Sequence, residues 1–450
     1  LTQCIISLNK EERILLMIDN KINELRSLLK LPNQGELLSD IACNQVDYTN
    51  AWKGADISLF KGDNLLHLKE LAIYSPGIVD LCYIDPPYNT GSKFLYNDNR
   101  KSDSSGLFGS NTAWMSFMLP RLVAARELLK NTGVLAISID DYEHAYLKVL
   151  LDHVFGEENF IGNVIICRSK NGKGGKKNLA SNHEYLLIYS KSPDANLRGQ
   201  ADETNYDKED EFGQYRVDGL FRKKGEASLR SDRPNMYYPL FFNSKTGRVS
   251  VDPVDGWEEV YPVDSKGIER RWLWGQDTAR DRAWQLYASK NGVIYVKNYA
   301  GNQDAEKRTK VRTIWSETSF YTEQATKEIK NIFGEKIFDT PKPMEFIKKI
   351  IDISANPDSV ILDFFAGSGT TAHASIELNK ADGGSRKCIL MESKDLIPKR
   401  HSASKQGFEE ISDITEKRLE EIKKIHSSVT YKVFNTEIGE EHREVSTKYG

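Results

Sequence analysis

No run of the roughly 18 to 20 apolar residues that a membrane-spanning helix needs occurs in the 450 residues, which excludes a helical membrane protein. A secretion signal is also absent: residues 1–9 run straight into the charged stretch Lys10–Arg13, and a cytoplasmic protein is expected. Cysteine is scarce. Cys4, Cys43, Cys82, Cys167 and Cys388 show neither Cys-x-x-Cys spacing nor His neighbours at ligand distance. That excludes a disulfide scaffold and structural zinc, and it predicts reduced thiols and no metal. No sign of charge dominates: 62 Lys and Arg face 65 Asp and Glu, for a net charge of −3. A chain basic throughout is excluded, so any polyanion-binding surface has to be local. Wholesale disorder is excluded by 39% hydrophobic and 28% charged residues, and the length suffices for two or three packed units.

What is present is an α/β rhythm interrupted once. Residues 1–50 read as a helical extension, with Ile14, Ile18, Ile22, Leu25 and Leu29 at helical spacing. It is expected to pack on the main domain, or alternatively to form a dimer contact. Across 51–195, apolar runs at Ile78–Ile84, Gly133–Ile139, Val164–Cys167 and Tyr185–Tyr189 predict strands, with helices over Trp114–Lys130 and Tyr142–Phe155 between them. Such alternation predicts a mostly parallel, twisted sheet covered by helices on both faces. Across 196–320 the rhythm fails. Phe221–Arg233 and Glu269–Arg282 are basic there, the latter interleaving Trp272 and Trp274 with arginines, and Arg168–Lys177 lies just before. A basic, aromatic-rich inserted domain is expected, with Arg168, Lys170, Lys173, Lys176, Lys177, Arg222, Lys223, Lys224, Arg270, Arg271, Trp272 and Arg280 as candidate DNA contacts. Residues 321–430 resume the rhythm with strands at Ser359–Phe365 and Cys388–Glu392 and a closing helix, and 431–450 read as a polar, mobile tail.

Two motifs stand at the carboxyl ends of predicted strands, where open α/β sheets bind ligands. The first is Asp85-Pro86-Pro87-Tyr88. Two prolines fix a rigid extended turn, which holds the Asp85 carboxylate and the Pro86 carbonyl as a pair of acceptors. An exocyclic amine conjugated to a ring is a poor nucleophile. Two acceptors on its N–H groups draw the nitrogen toward tetrahedral geometry and free the lone pair, while Tyr88 offers a ring face for stacking. The second is Asp363-Phe364-Phe365-Ala366-Gly367-Ser368-Gly369-Thr370, a glycine turn between a strand and a helix that lets a ligand approach the backbone. The third glycine of a dinucleotide fingerprint is missing, which favours a nucleoside without a phosphate bridge. Glu392 ends the next strand, where an acid can accept from ribose hydroxyls.

Together the motifs resemble the β-class amino-methyltransferases of DNA, which place a catalytic Asp-Pro-Pro-Tyr segment before a Phe-x-Gly-x-Gly cofactor segment, with target recognition between. More narrowly, Asp85–Tyr96, Trp114–Leu135, Ile137–Gly162, His183-Glu184-Tyr185, Thr340-Pro341-Lys342-Pro343 and Asp363–Ala374 resemble modification subunits of type III restriction systems and their solitary relatives. The likeness runs over residues 55–195 and 335–430 and does not extend through 196–320. It implies a Rossmann-like, S-adenosylmethionine-dependent fold carrying an inserted target-recognition domain. It further implies that Asp85, Pro86, Pro87 and Tyr88 act on a flipped adenine in double-stranded DNA. Asp63, Asp85, Lys342, Asp363, Phe364, Phe365, Ala366, Gly367, Ser368, Gly369, Thr370 and Glu392 would hold the cofactor. A homodimer and a restriction (nuclease or helicase) subunit are the implied partners. An N4-cytosine enzyme, which more often carries Ser in place of Asp85, is one alternative reading. A DNA-recognition subunit of a nuclease complex is another.

Overall fold

Short runs of β-branched and aliphatic residues, apolar on both faces, suit strands covered by helices on both sides. Nine of them build one sheet. They are β1 (Ile57–Lys61), β2 (Val79–Ile84), β3 (Leu129–Ile139), β4 (Phe160–Cys167), β5 (His183–Ser190), β6 (Ile314–Trp315), β7 (Val360–Asp363), β8 (Lys387–Glu392) and β9 (Tyr431–Asn435). The computed structural model describes residues 46–88, 110–172, 178–201, 206–300 and 308–435. The expected helix over residues 10–30, Asn89-Thr90-Gly91, and Lys173, Lys176 and Lys177 lie outside them.

The strand order is β6-β4-β5-β3-β2-β7-β8-β1-β9. All paired strands run parallel except β5, which is antiparallel to both β3 and β4. The sheet is therefore mixed at that point rather than parallel throughout. Helices α1 (Asn64–Tyr74), α2 (Ser110–Leu128) and α3 (His144–Phe155) cover one face, where Leu68, Leu122 and Leu150 pack against Phe60, Cys82 and Ile137. Helices α4 (Met344–Ser354), α5 (Thr370–Asp382) and α6 (Ile411–Ile425) cover the other, with Phe346, Ile376 and Leu419 against Tyr83, Ile361 and Leu390. Cys82 and Tyr83 thus point to opposite faces, as the two-residue period of a strand requires. Each such buried side chain contributes about 1.5–3 kcal/mol.

The tail expected from residue 431 is in part a strand. β9 pairs with β1 in parallel register, Ile57 opposite Tyr431. Tyr431 and Val433 pack on one core while Phe434 stacks on Phe60 at 4.8 Å, so alternation partly buries both faces of this edge strand.

A second compact unit spans residues 201–309. Leu197, Trp315 and Phe320, inside the insertion expected at 196–320, pack in the main core instead. The unit contains a four-stranded antiparallel sheet and a three-stranded one around Phe221, Leu240, Phe242, Trp272 and Ile294. Among the described residues no helix is long and apolar enough to cross a membrane.

Candidate active site

Parallel strands deliver their carboxyl ends to one edge of a sheet. Here that edge gathers acids: Asp63 just after β1, Asp85 after β2, Asp363 at the end of β7 and Glu392 at the end of β8. Because β5 is reversed, its first residues reach the same edge, and Tyr185 lies opposite Ile139, the last residue of β3. Glu184 arrives there by that route.

The Asp85-Pro86-Pro87-Tyr88 turn is held from several sides. The Trp114 indole donates to the Pro87 carbonyl at 2.7 Å. The Tyr88 hydroxyl donates to Oδ1 of Asp85 at 2.6 Å. Lys342 Nζ, from the turn before α4, donates to the same Oδ1 and to the Tyr88 oxygen, each at 2.8 Å, and lies 3.5 Å from Glu184. Burial opposes the Lys342 charge, but Asp85 and Glu184 outweigh it and hold the ammonium above the ordinary lysine range. Burial, then the nearby Asp85, push the Tyr88 phenol well above its usual value, so it stays a donor. Sequence reasoning placed Lys342 with the cofactor; its nearest partners are the residues of the Asp85 turn.

The second motif is shaped by carboxylates that accept from the backbone. Asp363 takes the Phe365 N–H at 3.0 Å and the Thr371 hydroxyl at 2.5 Å. Glu392 takes the Gly367 N–H at 2.5 Å and the Ser393 N–H at 2.9 Å. Gly367 has φ +53°, a backbone conformation that favours glycine, and a Cβ there would crowd the Phe338 ring at 3.1 Å. Phe364 is buried, Phe365 half-buried, and the Ala366 N–H donates to Met391. From behind, α6 supports the turn: the Thr415 hydroxyl donates to the Gly367 carbonyl at 2.6 Å. The buried Arg418 guanidinium reaches Ser368 Oγ at 3.2 Å and Thr370 Oγ1 at 2.9 Å. On the other side Asn64 donates to the Phe364 carbonyl at 2.6 Å. Arg121 holds Asn64 at 2.6 Å and Asp63 at 3.2 Å, and burial pushes its pKa down to about 10.

Burial pushes both Asp363 and Glu392 up to about 7. Unfolded carboxylates titrate near ~4. Between about pH 4 and 7 the folded chain therefore holds protons that the unfolded chain has lost. The stability these groups give is full below ~4 and falls as the pH rises toward 7. Buried His67 and His373, lowered to about 4 and about 3, titrate in the opposite sense, so wild type has to be compared with a variant. Asp363→Asn is expected to gain Tm relative to wild type as the pH goes from 5 to 8. A difference that stays constant across that range would refute the assignment.

Sequence reasoning gave no site role to Asn64, Thr371, Thr415 or Arg418, nor to Glu184 and Arg121, although His183-Glu184-Tyr185 and Trp114–Leu135 were among the segments it matched. Asn64 and Thr371 directly follow residues that it had singled out. Arg418 sits in an ordinary charged helix and carried no local signal. Among the candidate DNA contacts, two are corrected. Trp272 is 2% exposed, stacked on Phe221, and its indole donates to the Tyr238 carbonyl at 2.8 Å, so it is core. Arg271 is also buried, bonded to the Ala227 carbonyl at 2.7 Å. Arg270 is paired with Asp264, Arg280 with Asp252 and Asp277, and Arg168 lies 3.8 Å from Glu184. Lys224 and Lys170 are exposed, and Arg222 and Lys223 half-buried.

The family model described as DNA methylase (N6_N4_Mtase) matches residues 79–397, which takes in both motifs. The type II methyltransferase M.KpnI of Klebsiella pneumoniae is 59% identical over 405 residues, covering 89% of this chain and 96% of that protein. The Mod subunit of the type III restriction-modification enzyme EcoPI, from Escherichia phage P1, is 35% identical over 88% of this chain and 66% of the subunit. The StyLTI Mod subunit of Salmonella typhimurium is 33% identical over 80% of this chain and 55% of the subunit. The chain thus spans nearly all of the type II relative and about half to two thirds of the Mod subunits.

Proposed function

This chain belongs to the DNA methylase family, and from that premise we propose that it methylates N6 of an adenine flipped out of double-stranded DNA, with S-adenosylmethionine as donor. The observation that carries the reading is the Asp85–Tyr88 turn on β2 beside the Gly367–Gly369 turn on β7, adjacent strands paired through Leu81 and Ile361. The residues fit the donor. A row of carboxylates suits a cationic nucleoside, and Glu392 can accept from ribose hydroxyls. When bound, S-adenosylmethionine supplies a methyl group on a positively charged sulfur.

The remaining work falls to the chain. Stacked duplex bases are out of reach, so the target has to leave the helix at a cost of a few kcal/mol, which a tight pocket offsets. Tyr88 offers that base an aromatic face. Asp85 and the Pro86 carbonyl accept the two N–H groups of the amine, fix its orientation and stabilise the positive charge that develops on nitrogen. The unit at residues 201–309 supplies target recognition, with exposed cations such as Lys224 and Arg233 on the phosphates. A second copy of this chain and a restriction subunit are partners that this reading accommodates.

Purified chain, S-adenosylmethionine and unmethylated genomic DNA test it, with sequencing that distinguishes N6-methyladenine from N4-methylcytosine. Methyladenine at one recurring short sequence is expected. Methylcytosine would move the target base, and bound but unmodified DNA would favour a recognition subunit.

A further inference from the structure

Lys342 lies 257 residues from Asp85 in the chain, yet its side chain is 12% exposed and its nearest partners are groups of the Asp85 turn. Two donors, Lys342 Nζ at 2.8 Å and the Tyr88 hydroxyl at 2.6 Å, converge on Oδ1 of Asp85. No described residue donates to Oδ2. Behind Lys342 stands Glu184, with its side chain 7% exposed and a carboxylate oxygen 3.5 Å from Nζ, flanked by Arg168 at 3.8 Å. A buried carboxylate is costly unless paired, so its placement here calls for a function.

We infer that Lys342 is a positioning residue that, with Tyr88, clamps Oδ1 of Asp85 and leaves Oδ2 as the acceptor presented to the target amine, and that Glu184 acts through it by balancing its charge. The inference rests on the reading of Asp85 as acceptor for that amine, and it moves Lys342 out of the cofactor pocket. An uncompensated ammonium beside Asp85 would oppose the positive charge that grows on the amine nitrogen as the methyl group arrives. Glu184 removes that opposition without touching the substrate. The reversed strand β5 is what brings an acid to this spot: a ninth parallel strand would have put its first residues at the far edge of the sheet.

The test measures kcat on unmethylated genomic DNA together with the Kd for S-adenosylmethionine, in the full chain. Lys342→Met is expected to lower kcat by about 30-fold or more, with Kd within about threefold of wild type. Glu184→Gln is expected to cost about tenfold in kcat at unchanged Kd. Because Glu184 acts through Lys342, the double variant should lie within about twofold of Lys342→Met alone. Losses that multiply would overturn the coupling. A Kd weakened more than about tenfold in Lys342→Met at preserved kcat would return Lys342 to the cofactor. Should Lys342→Met fail to melt cooperatively, Lys342→Gln, which keeps a donor and drops the charge, takes its place against the same thresholds. An inactive wild-type chain would sink the methyl-transfer reading itself and this inference with it, before any variant is compared.

Discussion

Asp85→Ala is expected to lower kcat by about 10³-fold, roughly 4 kcal/mol of transition-state stabilisation, while leaving the Kd for S-adenosylmethionine within about threefold. The size follows from what Asp85 does. It carries the only carboxylate of the Asp-Pro-Pro-Tyr turn, and in the proposed reaction it faces an amine whose nitrogen becomes positive only as the methyl group arrives. An interaction made in the transition state and weak in the ground state appears in kcat rather than in binding. The separation from cofactor binding follows from position, because the backbone of the second motif is held by Asp363 and Glu392 and not by Asp85. Removing the carboxylate also strips Lys342 and Tyr88 of a shared partner, so a loss of about 1–3 kcal/mol in stability is expected alongside. Thermal melts therefore accompany the kinetics. Asp85→Asn keeps an acceptor oxygen without the charge, and should fall between wild type and Ala. Retention of more than about a tenth of kcat in Asp85→Ala would leave about 1.4 kcal/mol for this residue, too little for the role.

Trp272→Ala is expected to destabilise the unit at residues 201–309 by about 3–5 kcal/mol, the usual cost of removing a large buried aromatic ring. The indole lies 5.3 Å from Phe221 in a stacked pair, and its N–H holds the Tyr238 carbonyl. Truncation opens a cavity and leaves that carbonyl unsatisfied, two losses that add. Since a unit of this size has marginal stability, DNA binding should fail through unfolding, with an earlier melting transition and faster proteolysis within 201–309. The comparison is Lys224→Ala with Arg233→Ala, both exposed. Those changes should leave the melt in place and reduce the slope of log affinity against log salt by about one per lost phosphate contact. If Trp272→Ala weakened DNA binding with its melt unchanged, the ring would be a DNA contact after all.

Asp85 stands in a motif that can be read along the chain, whereas the burial of Trp272 cannot. The Asp85 and Asp363 motifs were legible because each is a local event: an apolar run that must be a strand, ended by residues whose backbone restrictions dictate a turn. The parallel character of the sheet came from the same local alternation, and so did the expectation of an insertion, where the rhythm lapses. Glu392 was legible because it ends the next such run.

The contents of residues 201–309 were misjudged where burial decided. Arginines and tryptophans in alternation read as a basic, aromatic surface, yet Trp272 lies in the core of that unit and Arg271 is buried against the Ala227 carbonyl. Composition gives the residue types of a segment but not which way each side chain points. In short strands and isolated bridges the local period is too brief to say.

What the sequence by itself determined is therefore the local frame of the proposed chemistry: a proline turn carrying Asp85, a glycine turn after the next strand of the site, and the sheet that aligns them. What only the tertiary structure decided is how those groups are held. Reversal of β5 brings Glu184 to the working edge, and a turn far along the chain brings Lys342 to Asp85. Arg418 reaches across 50 and 48 residues to Ser368 and Thr370. Such pairings depend on strand direction and helix packing over long separations, where loop closure leaves no trace in local spacing. The physical reason is that a motif is fixed by the restrictions of its own few residues, whereas a counter-charge is fixed by whichever distant segment the packed core happens to bring beside it.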